Sequence, residues 1–281
     1  MIRKQTVSLL LFLIFLSTTA QAGKLSYKGS STIGEHIMPK ASEAFAARTG
    51  VRFASIDIPG SGEGLAALLK GEVDLAGVSR PLSYEEKKRG FYYQVIGYDA
   101  IGVFVHRSNP VQSLGKEQIK RMFTGEIKNW SETSGGDAPV VCVTETWGKG
   151  RATTEEFRRL VMGQESYRAD RKEVDRPRDQ AAALASEENG IAAASIAFAR
   201  PEIRAVAIEG VSPEPANVVS GAYLLSRPLL LVTKGLPRGE AKEFLDFILS
   251  EKGQALVAER FVSVREIAEV KRTGRGSADG G

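Results

Sequence analysis

Hydrophobic positions along the chain alternate between two spacings, one typical of helices and one typical of strands. Over 35–48 they recur every three or four residues, which predicts an amphipathic helix that ends at Gly50. The β-branched runs 51–58 and 73–78 predict short strands on either side of a second helix. This alternation indicates an α/β protein.

The same alternation continues to Arg260 without an internal repeat. A long β-rich run covers 92–106, and the continuous apolar run 229–232 predicts a buried strand. Further strands are predicted near Val140 and over 190–198, and further helices over 116–123, 154–162, 180–186, 240–250 and 253–260. These elements are enough for one large domain or for two lobes.

The N-terminus has the pattern of a cleavable signal peptide. Arg3 and Lys4 precede the apolar run 9–16, which is followed by the small residues of 20–22. The apolar run is far shorter than the ~20 residues that a membrane-spanning helix needs. We therefore expect a signal peptide over 1–22 and a periplasmic mature protein.

Composition narrows the possible functions. The chain has 38 Lys and Arg against 34 Asp and Glu, a net charge of +4, and two of these cations lie in the predicted signal peptide. This balance excludes a strongly basic nucleic-acid binder. Cys142 is the only cysteine, so it forms no intramolecular disulfide, and its apolar neighbours predict a buried strand position. The polar tail 271–281 is predicted to be disordered.

Three loops rich in Gly and Ser or Thr each come directly before a predicted helix. They are 28–32, 59–64 and 146–151. The first turn of a helix exposes unpaired N–H groups and a partial positive charge, and glycine lets a ligand approach the backbone. Three such loops together predict a cage for an oxyanion.

The alternative is that each loop is an ordinary helix start. Thr32 with Glu35, and Thr153 with Glu156, have the spacing of capping boxes, in which side chains satisfy the free N–H groups of the first turn. Only the combination of the three loops favours a binding site over this alternative.

Other chemistry is poorly supported by the sequence. The Gly-x4-Gly-Lys-Ser/Thr pattern of phosphate-binding nucleotide loops is absent, and so is the Gly-x-Ser-x-Gly elbow of many serine hydrolases. An esterase that uses Ser31 or Ser61 with His36 remains an alternative. His36, His106 and Cys142 are too far apart in sequence to form a metal motif, so we expect no metal and no cofactor.

Six segments follow the order of motifs in a known family. They are Gly29-Ser30-Ser31-Thr32, Gly60-Ser61-Gly62 and the stretches 73–82, 123–130, 223–229 and 247–254. The chain resembles the periplasmic phosphate-binding proteins of the type II periplasmic-binding-protein superfamily, over nearly all of its predicted mature length.

The resemblance implies a two-lobed α/β fold in which each lobe is a mixed sheet flanked by helices. Residues 23–105 and 224–270 would form lobe 1 and residues 106–223 lobe 2, joined by two crossover strands. The implied function is that of a monomeric solute-binding protein, not an enzyme. It would capture phosphate or a similar oxyanion by hinge closure and deliver it to the membrane subunits of an ABC importer.

Carried over residue by residue, the resemblance assigns ligand-binding roles to Ser31, Thr32 and the backbone of Ile33. Ser61 and Ser79 would donate from the second and third loops. A sensory or scaffold module with the same fold, reporting anion binding to a partner, remains the alternative.

The loop before the third helix departs from the family pattern. Glu145 takes the place of a usual Arg, and Lys149 and Arg151 take the places of Ser and Thr. Gly148 and Gly150 leave backbone N–H groups free to approach a ligand, so Gly148, Lys149, Gly150 and Arg151 are also predicted site residues. The two cations predict binding with a larger electrostatic contribution.

Arg80 is the last predicted ligand-binding residue. It stands where longer relatives carry a carboxylate that accepts a proton from the ligand. We expect an ion pair between Arg80 and Glu145, with its sense reversed relative to those relatives.

Overall fold

The structure, a computed structural model, describes residues 24–146, 148 and 150–276. The predicted signal peptide 1–22 and Lys149 lie outside the described residues. Within the described part, no helix is long and apolar enough to cross a membrane.

Strands and helices alternate along most of the chain, as the hydrophobic pattern predicts. The strands are β1 Lys24–Gly29, β2 Arg52–Asp57, β3 Leu75–Val78, β4 Phe91–His106, β5 Ser113–Leu114, β6 Val141–Glu145, β7 Lys172–Val174, β8 Gly190–Ser195, β9 Ile203–Ile208, β10 Ser226–Lys234 and β11 Val262–Ser263. The α-helices are α1 Ser31–His36, α2 Met38–Thr49, α3 Ser61–Lys70, α4 Tyr84–Lys87, α5 Lys116–Thr124, α6 Ala152–Phe157, α7 Pro177–Ala185, α8 Pro215–Ser220, α9 Gly239–Leu249, α10 Glu251–Ala258 and α11 Val264–Gly276.

The long strand β4 belongs to two groups of strands. In the first strand group β1 lies parallel between β2 and β3, and β10 pairs antiparallel with β3 and with the first part of β4. In the second strand group the last part of β4 pairs antiparallel with β8 and β9, and β6 lies parallel between β8 and β7. This mixed arrangement with flanking helices confirms the predicted fold class.

The change from the first to the second strand group occurs within β4. Residues 101–105, which the sequence analysis places in lobe 1, already pair with β8. Val103 and Val105 of this segment pack into the core of the second strand group. The Ile101 N–H donates to the Leu225 carbonyl at 2.9 Å, so the two connecting segments lie side by side. The division into two lobes stays a prediction.

Each strand group has its own apolar core. Tyr27, Ile33, Phe45, Phe244 and Phe247 are buried in the first. Met122, Phe123, Trp130, Cys142 and Phe157 are buried in the second, which confirms the predicted burial of the single cysteine. Burying a large apolar side chain contributes ~2 kcal/mol, so each core can hold its loops in fixed positions.

Two boundaries differ from the sequence analysis. The helix predicted over 35–48 is interrupted at Ile37, because Pro39 has no N–H for a continuous helix and its ring would clash with the preceding turn. At the C-terminus, α11 extends to Gly276, so residues 271–276 of the tail predicted to be disordered are helical. The prediction of disorder used only the polarity of the tail, whereas Lys271 and Arg272 also have high helix propensity.

Candidate functional site

The hydroxyl-rich loops of the first strand group converge because β1 and β3 are parallel neighbours that end side by side. The Ser30 hydroxyl donates to the Ser79 hydroxyl at 3.0 Å, and the Ser79 N–H donates to Ser61 Oγ at 3.2 Å. All three serines are buried. The structure therefore brings together Ser61 and Ser79, as predicted, and adds Ser30.

Helix α1 begins differently from the predicted capping box. Its N-cap is Ser30, whose hydroxyl accepts a hydrogen bond from the Ile33 N–H at 3.3 Å. The predicted box between Thr32 and Glu35 is wrong, because the backbone is helical from Ser31 onward and Thr32 already lies in the first turn. Ser31, Thr32 and Ile33 are all buried at this helix start.

Helix α6 begins after the loop of the second strand group. Its N-cap is Arg151, which makes no side-chain capping hydrogen bond, so the predicted box between Thr153 and Glu156 is also wrong. Thr153 is instead buried in the first turn, where its hydroxyl accepts a hydrogen bond from Arg227 at 3.0 Å. This contact places the start of α6 beside β10.

Arg227 is the central residue that the sequence analysis missed. Its side chain is 0% exposed, and its Nε and Nη2 donate to Asp99 Oδ2 at 2.9 and 2.8 Å. Nη1 donates to Thr153, and Nη2 lies 3.3 Å from Thr32 Oγ1. A single guanidinium therefore connects the first turn of α1 with the first turn of α6. Ser195 donates to the other Asp99 oxygen at 2.9 Å.

A signal for this pair was present in the sequence. Asp99 and Arg227 are single charges within apolar strand patterns, at 95–105 and 223–232. Burying a charge without a partner is costly, so two such charges in buried strands indicate a pair. The register of β4 and β10 places Asp99 directly opposite Arg227.

Three hydroxyl groups at this site accept hydrogen bonds from the protein. Thr32 and Thr153 accept from Arg227, and Ser61 accepts from the Ser79 N–H. A hydroxyl that accepts in this way keeps its own proton for another acceptor. The three protons can therefore be donated to a group that only accepts, such as an oxyanion.

The loop between β6 and α6 contacts the first strand group directly. The Gly62 N–H donates to the Gly150 carbonyl at 3.2 Å, and Gly148 and Gly150 have left-handed backbone angles, φ 84° and 63°. Lys149 is outside the described residues, so its role in ligand binding stays a prediction. The Gly62 to Gly150 contact brings the second and third predicted loops together.

Arg80 does not form the predicted pair with Glu145. Its Nε donates to Glu155 at 2.8 Å, while Nη1 and Nη2 donate to Glu86 at 2.8 and 2.9 Å. Burial alone lowers the pKa of Arg80, but its bonds to Glu86 and Glu155 outweigh burial and raise this pKa above its usual range. The prediction failed because both carboxylates reach Arg80 from helices, Glu86 from α4 and Glu155 from α6.

Glu145 instead lies near Arg151. Glu145 is 3% exposed, and its Oε2 is 3.9 Å from Arg151 Nε. Burial raises the pKa of Glu145 to about 7, although the charges of Arg151 and Arg227 act in the opposite direction. The role of Arg151 in ligand binding stays a prediction.

The serine–histidine alternative finds no geometric support. The His36 ring packs edge-on against Phe198 at 4.6 Å between centroids, and His36 Nε2 has no hydrogen-bond partner among the described residues. Burial, with the charge of Arg260, lowers the pKa of His36 to about 4. Among the described residues, His36 is therefore paired with neither Ser31 nor Ser61.

Comparison with known proteins finds a matching family model and similar curated proteins. A family model described as PBP superfamily domain matches residues 17–252. Phosphate-binding protein PstS of Bacillus subtilis is 28% identical over 237 residues, which cover 82% of this chain and 76% of that protein.

Solved structures give the same result. A phosphate ABC transporter substrate-binding protein from Clostridium perfringens, with bound phosphate, superposes with a TM-score of 0.81 and 33% identity, over 86% of this chain and all of the other. An ABC-type phosphate transport receptor from Vibrio cholerae superposes with a TM-score of 0.72 and 25% identity, over 85% of this chain and 99% of the other.

Proposed function

Since this chain belongs to the PBP superfamily, we propose that it captures inorganic phosphate, or a closely similar oxyanion, and delivers it to an ABC importer. The relatives named above, one of them with bound phosphate, support this ligand class. We place the ligand between the first turns of α1, α3 and α6, next to Arg227.

The orientation of the hydroxyl protons is the observation that carries this proposal. Thr32, Ser61 and Thr153 each accept a hydrogen bond from the protein, so each offers a proton to the ligand. Arg227 is neutralised by Asp99, so it orients these donors without adding net charge. Hydrogen bonds to a charged group are worth ~1.5–3 kcal/mol each, and a few of them suffice for tight binding.

Capture would require movement of the two strand groups. Ligand donors belong to both groups, so an anion that enters must be followed by closure around it. Three contacts between the strand groups are those expected of the closed form. They join Gly62 to Gly150, Arg80 to Glu155, and Glu35 to Arg178 at 3.1 Å. The ligand would thus stabilise contacts that already fit together.

The remaining parts of the proposal concern the setting of the protein. We place the mature chain in the periplasm as a monomer, with the membrane subunits of an importer as its partner. We expect binding without chemical turnover, because the buried hydroxyls are donors without a paired base.

Calorimetric titration tests the proposal most directly. Inorganic phosphate should bind at one site per chain, and arsenate, which has the same charge and tetrahedral shape, should compete with it. The variant Arg227→Met removes the guanidinium that orients both threonines and should weaken phosphate binding by at least tenfold. Absence of phosphate binding by the folded wild-type protein would contradict the proposed function.

A further inference from the structure

Glu145 is a buried carboxyl group that the fold leaves incompletely paired. It ends β6, its side chain is almost inaccessible, and its Oε1 has no hydrogen-bond partner among the described residues. Its Oε2 lies 3.9 Å from Arg151 Nε, too far for a hydrogen bond, and this Nε is also buried, without a hydrogen-bond partner in the described part of the chain. An unsatisfied buried polar pair is costly and needs a reason.

We propose that Glu145 couples anion capture to the uptake of one proton, so that the closed site holds the anion together with a neutral Glu145. The inference rests on the proposed function and concerns a residue to which the family resemblance gave no ligand role. The proton comes from solvent and converts the carboxylate to a carboxylic acid, and no other bond changes.

The surroundings of Glu145 determine the direction of the effect. Burial disfavours the carboxylate, and the cations Arg151 and Arg227 favour it. Tyr167 lines the same small cavity as Glu145, and Val174 is the residue opposite Glu145 in β7. The neighbouring side chains of Thr144 and Gln180 are polar and uncharged, and each has a side-chain oxygen that no described residue hydrogen-bonds.

An anion beside Arg227 would change this balance. Its negative charge repels the Glu145 carboxylate and competes with it for the fields of Arg151 and Arg227. A like charge nearby disfavours ionisation, so the pKa of Glu145 rises when the anion binds. Because burial already raises this pKa to about 7, a further rise means that a proton is taken up at neutral and alkaline pH.

The pH dependence of phosphate affinity follows from this linkage. Above pH 7 the wild-type protein must bind a proton with each anion. Compared with a variant that has a permanently neutral residue at position 145, its phosphate affinity therefore falls up to tenfold per pH unit. Glu145→Gln supplies such a residue with nearly the same shape. At pH 8.5 this variant should bind phosphate ~30-fold more tightly than wild type, and at pH 6 the two affinities should agree within about threefold.

Calorimetry in buffers of different ionisation enthalpy measures the proton directly. At pH 8 the wild type should take up about one proton more per bound phosphate than Glu145→Gln, and the ligand's own titration cancels in this difference. Equal proton uptake and parallel pH profiles would overturn the inference while leaving phosphate capture intact. If neither protein binds phosphate, the proposed function fails instead.

A measurement on the wild type covers the case in which the variant does not fold. The carbon-13 resonance of the Glu145 carboxyl, assigned through its backbone, should titrate near pH 7 without phosphate and at higher pH with saturating phosphate. A midpoint in the ordinary glutamate range, or one that phosphate does not move, contradicts the inference.

Discussion

Ser61 serves both the fold and the proposed ligand. It is 1% exposed, begins α3 and accepts a hydrogen bond from the Ser79 N–H, so its own proton is available for another acceptor. Because the acceptor function is occupied within the protein, this hydroxyl is prepared to donate before any ligand arrives. Preparation of this kind reduces the entropy that binding would otherwise cost.

Ser61→Ala should therefore weaken phosphate binding by ~1–3 kcal/mol, roughly ten- to hundredfold. The variant also leaves the Ser79 N–H without its partner, so a moderate loss of stability is expected. Ser250→Ala is the matched control, because it removes a serine N-cap from α10, away from the proposed site. Calorimetry and thermal unfolding of both variants separate the two effects, and unchanged affinity in folded Ser61→Ala would remove Ser61 from the site.

Ser61 could be predicted as a site residue from sequence, whereas the sequence signal for Arg227 indicates only a buried charge pair and not its position beside two helix starts. A helix start is encoded locally, by a Gly and a hydroxyl residue before an apolar repeat. The role of Arg227 depends on Asp99, 128 residues away along the chain, and on the register that places the two side by side. The same limit explains Arg80, whose partners Glu86 and Glu155 come from two different helices.

At the scale of elements, the loop before α6 has to approach α3 closely. A Cβ atom on Gly150 would lie 3.1 Å from the Gly62 Cα, and Gly150 has φ 63°, a backbone conformation that favours glycine. Gly148 in the same loop has φ 84°, but no described atom lies within 4 Å of its Cβ position. Both glycines thus need a positive φ, but only Gly150 lies in close contact with α3 of the other strand group.

Gly150→Ala should weaken phosphate binding about tenfold more than Gly148→Ala, a difference of ~1.4 kcal/mol. Both variants carry the cost of a left-handed alanine, ~1–2 kcal/mol, so their stabilities should be similar. Only Gly150→Ala keeps the loop away from α3 and opposes closure. Calorimetric titration of the pair tests this, and equal affinities would show that the close approach has no part in ligand capture.

At the scale of the whole molecule, the strand groups are joined through β4 and the segment leading into β10, and ion pairs connect them on the surface. Arg80 is bonded within the first strand group to Glu86 and across to Glu155 of α6. Such partly exposed pairs are worth ~0.5–1 kcal/mol and are screened by salt. They are thus strong enough to bias closure but too weak to enforce it without a ligand.

Small-angle scattering should show a smaller radius of gyration with saturating phosphate than without it, because the ligand supplies the free energy that the surface pairs lack. Glu155→Gln removes the connecting partner of Arg80 and should weaken phosphate binding ~2–5-fold at low salt, with little difference from wild type at high salt. Glu86→Gln is the matched control, since it removes a carboxylate from the same guanidinium but leaves the bond across the strand groups. If both variants lose equal affinity, or if phosphate leaves the radius of gyration unchanged, the ion pair does not contribute to closure.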